Sequence, residues 1–471
     1  MAISGLPSGA TISPASPQSV NAGSSQQFTI TAAAATPTGS TTLTLTGTSG
    51  SLSHPVTTTL NVGTAIQTTE SGGMLYLQSC TSTHTARIGL NTAWGGSIVE
   101  ASLDGTNFVH ALGTGYEVQP TLYDGADKYD NCAGCTGVWG WNPVLAGDTH
   151  GNGSPVLSYQ LAPDSIYVKT QPLEWYPDNK GGGPSNPIES DCYFEETVSV
   201  ASGAPLAFKV EFKLTHFGTD LHYNADQELP AVWLNGTYGT LEVYGGTNPW
   251  TDGVTTATLL PSPPGTPNVY TSEQWAALVD GNNSGLTVFV PSQYPYVSGF
   301  SLPDNNPGQS VYSSNYFRPF TALTVGPGAV TTEDVYLIPG DYTAARNVVY
   351  GLHQALPPSD IFTPIGNVDA PAAGSTISGS NVQISGWAID NVAVSTVAIL
   401  IDGTLEGSVP FTIDRPDVVA AYPNLAPLLC GWTFPLDSKT LTNGIHVITV
   451  QVTDTSNNVA VLPPISVTVS N

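Results

Sequence analysis

The chain has 471 residues, and its 36 acidic against 10 basic side chains give a formal net charge of −26 at pH 7. This balance argues against nucleic acids and anionic membranes as partners, because phosphate contacts need clustered Lys and Arg, and it favours a neutral partner. Charged residues are only 10% of the chain, and because carboxylates lose their charge in acid, this composition also suits an acidic medium.

Length and turn residues together predict several β-rich domains. A chain of this size is expected to form roughly two to four of them, and its 49 Gly and 38 Pro are typical of all-β proteins with many turns. No apolar run reaches the roughly 20 residues of a membrane-spanning helix. The first residues, "MAISGLPSGATISP", lack the cationic and apolar stretches of a signal peptide. Secretion is therefore predicted from composition alone.

Residues 1–63 are nearly free of charge and are dominated by Ser, Thr, Ala, Gly and Pro. The segments "SSQQFTITAAA" and "STTLTLTGTSG" alternate with period two, which predicts strands separated by turns. The region resembles the later part of the immunoglobulin-like repeats of exported bacterial proteins. About 60 residues is short for such a sandwich, so we predict a truncated immunoglobulin-like module here.

Residues 64–363 hold nearly all the histidines and aromatic side chains, on long alternating segments. One helix is predicted over 342–356, close to the end of this region. Many long antiparallel strands with a single late helix indicate a large sandwich of two sheets. The predicted strands include "GGSIVEASLDGTNFV", "SIYVKTQPLEWY", "CYFEETVSV", "LAFKVEFKLTHF", "GTLEVYGG", "SGLTVFVP" and "VTTEDVYLIPG".

Residues 364–471 predict a second β-sandwich, because strand segments follow one another about every ten residues. The segments "GWAIDN", "ILIDG", "DRPDVVAAYP" and "NGIHVITVQVTDTSNN" resemble the bacterial immunoglobulin-like modules that are appended to secreted enzymes. "GNVDAPAAGST" supplies a Pro- and Gly-rich entry into this C-terminal module.

Two further segments of the central region, "AWGGSIVEASLDGTNFV" and "GTGYEVQPTLYDG", resemble the galactose-mutarotase-like supersandwich of carbohydrate-active proteins. The resemblance implies a concave sheet that binds saccharide, with Gln119 facing the groove and Tyr116 where the family often has Arg. Members of that family isomerise, hydrolyse or cleave sugars, and the resemblance does not choose among these reactions. The predicted fold class is all-β: a large antiparallel supersandwich between two immunoglobulin-like sandwiches.

The stretch "THFGTDLHYNADQELPAVW", residues 215–233, is the densest patch of titratable side chains. His216 ends a row of apolar residues that share one face of a strand, which indicates a histidine at the edge of the core. We expect His222 and Tyr223 on the following loop, where function concentrates. Asp226 and Glu228 then lead into a new strand, so these four later residues are catalytic candidates.

A glycoside hydrolase needs two carboxyl groups that flank the scissile bond. Glu228, at the mouth of a strand and beside an apolar run, is the best candidate for the acid, since burial would raise its pKa. A structural hydrogen-bonding role for Glu228 is equally compatible with the sequence. The pattern does not choose its partner carboxyl, for which the candidates are Glu117, Asp124, Glu174 and Asp191.

A polysaccharide lyase is the first alternative, with His222, Tyr223 or His216 as the base. Such an enzyme needs a cation to neutralise a uronate, and the available cations are few: Arg318, Lys128 and Lys180. The second alternative is a saccharide-binding or surface-adhesion protein without catalysis. A neutral or weakly charged polysaccharide is the expected partner in the leading hypothesis of hydrolysis.

Aromatic side chains on Gly- and Pro-rich segments are candidates for binding sugar rings, since flat rings bury apolar area at low entropic cost. A single Trp belongs more often to a core, but several Trp on separate loops favour a groove. The predicted substrate-binding residues are Trp139, Trp141, His150, Trp175, Tyr244, Trp250 and Gln119.

The five cysteines predict no cofactor site. Cys132 and Cys135 have the spacing of a local disulfide, Cys80 and Cys192 are a possible second bridge, and Cys430 has no evident partner. The histidines and carboxylates of 215–233 match no strong metal signature, so no metal site is predicted, although acidic loops could hold structural calcium. We expect a monomer without cofactor.

Overall fold

The structure is a computed structural model that describes the chain except residues 22, 34–35, 38, 63–64, 82, 111, 125–140, 252, 263–267, 303–313, 357–362 and 423–424. The side chains of residues 61, 65 and 223–226 are also outside the description. Antiparallel strands dominate the described chain, and the all-β prediction is confirmed. None of the described helices is long and apolar enough to cross a membrane.

The described part of the N-terminal region forms two small sheets. Strand β1 (Ala2–Ser4) pairs with β4 (Gly39–Ser49), which pairs with β5 (Leu52–Val62), and β2 (Ala10–Ser13) pairs with β3 (Thr29–Ala32). Among its described apolar side chains only Leu43 is fully buried. The short alternating strands therefore form sheets here without a sizeable core of their own.

In its described residues, the central region is built from strands β6 to β26 and one α-helix. They are β6 (Ala65–Ser71), β7 (Met74–Cys80), β8 (Thr85–Asn91), β9 (Ser97–Leu103), β10 (Thr106–Asn107), β11 (Val118–Thr121), β12 (Pro143–Val144), β13 (Val156–Ala162), β14 (Ser165–Thr170), β15 (Leu173–Glu174), β16 (Cys192–Val200), β17 (Phe208–His216), β18 (His222–Asn235), β19 (Thr240–Tyr244), β20 (Thr255–Leu259), β21 (Asn268–Tyr270), β22 (Trp275–Val279), β23 (Ser284–Phe289), β24 (Tyr294–Leu302), β25 (Ser314–Val325) and β26 (Val330–Asp341). Short 3-10 turns lie at Thr92–Trp94 and Pro177–Lys180.

These strands make two large sheets that face each other. Counting described strands, the groove sheet has 12, with the main order β21-β24-β25-β18-β11-β9-β8-β7-β6. The back sheet has nine, in the order β13-β14-β16-β17-β26-β23-β22-β19-β20. Their inner faces share one apolar core, which includes Ile88 and Phe317 from the groove sheet and Val210 and Leu337 from the back sheet. The predicted two-sheet sandwich is present.

Alternation along β17 shows how the sequence sets this core. Its apolar residues from Phe208 to Leu214 are buried at every second position, while the polar residues between them are half-buried. His216 ends the buried row and is itself buried, as the sequence predicts. A strand with one inward apolar face is held in register, since a slip by one residue would turn that face outward.

The α-helix found among the described residues of the central region, α1 (Tyr342–Ala355), agrees with the helix predicted over 342–356. It begins at Asp341, whose carboxylate accepts hydrogen bonds from the backbone N–H groups of Thr343 and Ala344. The helix packs on the outer face of the back sheet, over a second core that includes Trp275 and Val349.

The C-terminal region is a second sandwich. Its strands are β27 (Ile365–Ala370), β28 (Thr376–Ile377), β29 (Val382–Ile389), β30 (Val394–Ile401), β31 (Thr404–Val409), β32 (Phe411–Asp414), β33 (Leu429–Leu436), β34 (Gly444–Asp454), β35 (Val459–Val461) and β36 (Ile465–Val469), with the short helix α2 (Pro416–Ala421) and a 3-10 turn at Ser438–Thr440. They form sheets of four and six described strands around a core centred on Trp432.

This C-terminal sandwich packs against the outer face of the groove sheet. Tyr294, Tyr296 and Phe320 of the groove sheet form a buried cluster with Val418 and Cys430 of the C-terminal region. The Thr324 hydroxyl also donates a hydrogen bond to the carbonyl of Val461 at 2.9 Å. The division at residues 63 and 363 stays a prediction, while the sheets themselves fall within those three ranges.

The predicted bridge between Cys80 and Cys192 is wrong. Both are free thiols; Cys80 lies in β7 of the groove sheet and Cys192 begins β16 of the back sheet. Cys430 is a buried free thiol, and Cys132 and Cys135 lie outside the described residues.

Candidate functional site

A cleft on the outer face of the groove sheet is the best candidate site. It lies where β11, β18, β25 and β24 run side by side. Cross-strand pairing brings its residues together: Thr121 lies opposite Glu228, and Tyr316 pairs with Trp233 on one side and Phe300 on the other. Adjacent strands place paired side chains about 4.5–5.5 Å apart on the same face.

A bulge in β18 lets both Glu228 and Trp233 face the cleft. In a regular strand, residues five positions apart point to opposite faces. On β11, however, Gln119 and Thr121 are two residues apart, whereas their partners on β18, Ala231 and Glu228, are three residues apart. The extra residue, next to Pro230, reverses the alternation.

The cleft has a cavity of about 220 Å³, lined by Gly115, Gln119, Thr121, Tyr123, Val144, Trp175, Glu228, Trp233, Phe300 and Tyr316. It adjoins a wider trough of about 550 Å³, to which His150 and Tyr116 contribute. Gly115, Trp175 and Trp233 line both spaces, which therefore form one continuous groove. Cavities of this size accommodate small ligands or parts of larger ones.

Aromatic rings form the walls of this groove. The Trp233 ring lies 4.7 Å from Tyr316, 5.0 Å from Tyr116 and 5.6 Å from Phe300, measured between centroids. Tyr116 is 38% exposed, so part of its ring is open to a ligand. The groove therefore offers flat apolar faces beside hydrogen-bonding groups, a combination that suits sugar rings.

Trp175 closes the opposite side of the groove and packs closely on Gly115. A Cβ atom at position 115 would lie 2.6 Å from Cη2 of the Trp175 indole. Only glycine leaves room for this contact, and any larger residue would push the ring out of its present position. The glycine at 115 therefore sets where Trp175 stands in the groove.

Charged and phenolic groups meet at the floor of the cleft. Burial raises the pKa of the Tyr316 hydroxyl well above its ordinary value, and the Glu228 carboxylate beside it raises that pKa further. The cation of Arg318 acts in the opposite direction on the same hydroxyl. Tyr316 is thus a proton donor over the whole neutral range and not a base.

Glu117 lies behind the cleft on β11's N-terminal side and does not line it. One of its oxygens, Oε2, accepts hydrogen bonds from the Tyr116 backbone at 2.8 Å and from Gln119 Nε2 at 3.1 Å. Gln119 in turn accepts from the Ala146 N–H at 2.7 Å. Burial raises the pKa of Glu117 to about 8. This carboxyl therefore orients Gln119, which does line the cleft.

Two other predicted residues lie in or beside the groove, and each is already bound to a neighbouring side chain. His150 lines the trough, and its Nε2 lies 2.7 Å from Asp178 Oδ2. Glu174 is buried, where it accepts from the Asn142 N–H at 2.6 Å and from Lys180 Nζ at 2.9 Å. Glu174 therefore anchors the segment that carries Trp175 and does not line either cavity.

His222 and Trp141 are brought together in a cluster outside the groove lining. The His222 and Trp141 rings stack with centroids 4.0 Å apart, and His222 Nδ1 lies 2.9 Å from Asp124 Oδ2. His222 is the first residue of β18, and Tyr223 of the same strand pairs with Thr324 of β25, so the predicted loop is wrong. Within the described part of the chain, one cluster of side chains could hold a metal ion: Asp191, His216, Asp220 and His222. Each offers one ligand atom, and these four atoms lie within 4.8 Å of one another.

The remaining predicted residues are not part of the described groove. Tyr244 is buried in the core beneath α1, and Trp250 stacks on His353 of that helix at 3.6 Å. Trp139 lies outside the described residues, as do the side chains of Tyr223 and Asp226.

Sequence reasoning did not single out the aromatic residues Trp233, Phe300, Tyr316 and Tyr123 of the cleft. Trp233 stands in the apolar run "LPAVWLN", where nothing marks it as outward-facing. The one local signal was Pro230 within a predicted strand, since Pro in a strand often accompanies a bulge.

Several solved structures are similar to parts of this chain at low sequence identity. Among solved structures, a protein described as an aldose 1-epimerase from Klebsiella pneumoniae is 12% identical, covering 69% of this chain and 97% of that one with a TM-score of 0.35. A polysaccharide lyase is 8% identical, covering 88% of this chain with a TM-score of 0.31, and this chain spans 48% of that lyase. An α-galactosidase from Geobacillus stearothermophilus is 10% identical, covering 59% of this chain and 41% of that one, with a TM-score of 0.33.

None of these structures assigns an activity to this chain, and a comparison with curated proteins returned no match. The C-terminal region gives a family match: residues 364–450 fit the family described as bacterial Ig domain. The chain therefore carries a bacterial immunoglobulin domain, as the C-terminal strand pattern predicts.

Proposed function

We propose that this protein is a secreted carbohydrate-active enzyme that hydrolyses a neutral or weakly charged polysaccharide in the groove. The observation that carries the proposal is the position of Glu228, on the floor of a cleft whose walls are Trp175, Trp233 and Tyr316. Aromatic faces would hold the sugar rings, and the carboxyl would act on the glycosidic bond.

The charge of the protein supports a neutral substrate. A polymer dense in carboxylates or sulfates would meet a protein with a net charge of −26, and like charges disfavour their association. Arg318 is a cation close to the cleft floor, where it acts on Tyr316. One such cation suits an occasional charged substituent better than a fully charged chain.

Glu228 is the residue that we assign to proton transfer. Among described residues that line the two cavities, the other carboxylic acid is Asp148, which accepts hydrogen bonds from the backbone of His150 and from Asn152 at 2.8–2.9 Å. Those contacts shape the turn that carries Asp148. Glu228 is chosen for its place in the cavity that Trp175 and Trp233 also line. Tyr316 lies beside Glu228, and its raised pKa keeps its hydroxyl protonated.

Lyase activity is the second candidate, and one observation favours it. Elimination needs a base and a cation near the uronate, and Tyr316 and Arg318 lie together in the cleft region. The raised pKa of Tyr316 opposes this role, since a base must lose its proton. His222, one of the three bases predicted from the sequence, is paired with Asp124 away from the cleft lining.

A panel of polysaccharides tests these proposals. Reducing ends without absorbance from unsaturated uronates would support hydrolysis, and both signals together would support the lyase. Binding without either product would overturn the enzyme proposal and leave a saccharide-binding protein.

The variant Glu228→Gln should lower hydrolysis by about 10²–10⁴-fold, the usual contribution of a general acid or base. The matched control is Glu211→Gln, on the exposed face of β17 in the other sheet, which should keep full activity. Full activity in Glu228→Gln, with the same thermal unfolding as the parent protein, would remove Glu228 from the mechanism.

A further inference from the structure

One end of the sandwich carries a cluster of side chains that the proposed hydrolysis does not use. His216 is the last residue of β17 in the back sheet, and His222 is the first residue of β18 in the groove sheet. Asp191 immediately precedes β16, whose first residue pairs with His216, and Asp220 lies in the connection between the two strands. The cluster therefore stands where the chain crosses between the sheets.

Hydrogen bonds at Nδ1 determine which ring nitrogen of each histidine is available. His216 Nδ1 lies 2.8 Å from the carbonyl of Gly326, and a carbonyl can only accept. His222 Nδ1 lies 2.9 Å from the carboxylate of Asp124, which also accepts. In neutral imidazoles both protons are thus on Nδ1, and each Nε2 presents a lone pair.

Both Nε2 atoms are buried, and within the described part of the chain neither makes a hydrogen bond. The His216 side chain is 0% exposed and that of His222 is 3% exposed. A buried polar atom without a partner is costly, so native proteins seldom leave one unsatisfied. Two of them at one place indicate that something else satisfies them.

Distances to the neighbouring carboxylates match a metal centre better than ion pairs. His216 Nε2 lies 3.5 Å from Asp191 Oδ2 and 3.6 Å from Asp220 Oδ1, and His222 Nε2 lies 3.4 Å from the same Asp220 oxygen. Charged N–H···O hydrogen bonds are about 2.7–2.9 Å long. Ligands bound tetrahedrally at about 2.0–2.2 Å are separated by about 3.3–3.6 Å.

The third ligand is oriented in the same way as the histidines. Asp191 Oδ1 accepts a hydrogen bond from Trp141 Nε1 at 2.8 Å, which leaves Oδ2 turned toward the cluster. The Trp141 ring also stacks on His222 with an interplanar angle of 5°. Outer contacts that orient each ligand are a regular feature of protein metal sites.

Gly218 leaves open space beside the ligand atoms of this cluster. A Cβ atom at this position would lie 2.1 Å from Asp191 Oδ2 and 2.5 Å from His216 Nε2, so it would stand among the ligand atoms. The φ angle of Gly218 is not in the left-handed region, so its backbone does not require glycine. A side chain at position 218 would therefore fill the space beside the ligand atoms.

We propose that Asp191, His216, Asp220 and His222 form a divalent-metal site and that Zn²⁺ is the ion it takes. Two imidazole nitrogens and two carboxylate oxygens suit zinc, whereas calcium and magnesium prefer oxygen ligands alone. The site ties the ends of the two sheets together, and it holds Asp124, next to Tyr123 of the cleft, through His222. Asp220 is 63% exposed, so the ion has a route in from solvent.

The test is a zinc titration of the full-length protein after removal of metals with a chelator. A competing chromophoric chelator measures affinity and stoichiometry, and Ca²⁺ and Mg²⁺ serve as comparison ions. We expect one Zn²⁺ per chain to bind at this site, with Ca²⁺ and Mg²⁺ far weaker. Replacement by Co²⁺ should give the intense visible absorption of a tetrahedral centre with nitrogen and oxygen ligands.

Variants separate this site from adventitious zinc binding. His222→Gln and Gly218→Ala should each weaken zinc binding by about 100-fold or more, since even outer contacts are worth about 10–100-fold. The matched controls are His84→Gln, a surface histidine 2.7 Å from Asp104, and Gly281→Ala, where a Cβ would meet open space. Both controls should bind zinc as the parent does.

Zinc affinity unchanged in His222→Gln and Gly218→Ala, or no stoichiometric zinc at all, would overturn the proposal. Should His222→Gln fail to fold, Asp220→Asn decides, because this exposed residue can be changed without disturbing the core. Thermal unfolding of each metal-free variant against the metal-free parent distinguishes lost folding from lost binding. None of these outcomes depends on hydrolysis, so the metal site stands or falls apart from the proposed enzyme.

Discussion

Replacing Glu117 by glutamine should change how the stability of this protein depends on pH. Burial raises the pKa of this carboxyl from its ordinary value of 4.5 to about 8. The folded chain therefore holds the proton more tightly than the unfolded chain does. Its contribution to stability is fully present below pH 4.5 and is lost as pH rises to about 8.

The size of the effect follows from the two pKa values. A tenfold change in proton affinity corresponds to about 1.4 kcal/mol, so the difference between 4.5 and about 8 amounts to about 5 kcal/mol. Glutamine resembles the protonated carboxyl at every pH. The parent should thus lose about 5 kcal/mol of unfolding free energy from this group between acid and alkaline solution, while Glu117→Gln should not.

Glu117→Gln also lowers the free energy of unfolding by an amount that does not depend on pH. Glu117 Oε1 is buried without a hydrogen-bond partner among the described residues, so an amide NH₂ placed there would be unsatisfied. This costs about 1–3 kcal/mol at every pH. The informative quantity is therefore the change in unfolding free energy with pH, and not its value at one pH.

Urea unfolding of parent and variant at about pH 4 and about pH 9 measures this difference. Glu211→Gln, a half-buried glutamate on β17 of the other sheet, serves as the control and should follow the parent. The reasoning about Glu117 is refuted if parent and Glu117→Gln lose the same free energy between the two pH values.

Three further predictions follow from single contacts. Glu333→Gln should also flatten the pH dependence, over a narrower range, because burial raises the Glu333 pKa only to about 7; the same urea series measures it, and an unchanged slope would contradict it. Trp175→Ala should weaken oligosaccharide binding by about tenfold or more in calorimetry, since it removes one wall of the groove, whereas Tyr159→Ala, on β13 away from the groove, should not. Asp341→Ala should lower the unfolding free energy by about 1 kcal/mol through loss of the cap of α1, and a variant as stable as the parent would show that the cap contributes nothing.

Buried carboxyls also bear on the expectation of an acidic medium. Burial raises the pKa of Glu196 well above its ordinary value, in addition to those of Glu117 and Glu333. Each of these groups favours the folded state more at low pH than at neutral pH. Acidic habitat itself stays a prediction from the low content of basic residues.

Period-two alternation along the chain was sufficient to predict the sheets, the buried row of β17 and the edge position of His216. Alternation is a local property, because each strand residue points opposite to its neighbour whatever the strand pairs with. The late helix was equally predictable. The candidate Glu228 and the groove residues Trp175 and His150 also came from local signals in the sequence, whereas Gln119 came from the family resemblance.

Local signals could not place residues that meet through pairing or crossing of the sheets. The sequence predicted Trp141 and His222 as site residues of the groove, yet they lie with Asp191 in a separate cluster. This cluster forms where the chain passes from the back sheet to the groove sheet. Trp250 sits on a Pro- and Gly-rich loop as predicted but packs on α1.

By itself, the sequence determined the all-β class and the C-terminal immunoglobulin module, since these depend on composition and on short-range pattern. The catalytic role of Glu228 stays a prediction. Tertiary structure alone decided that Trp233 shares a face with Glu228, through one extra residue beside Pro230. It also decided that two histidines six positions apart converge with carboxylates at one point. Cross-strand register and chain crossings join residues distant in sequence, and no local pattern encodes them.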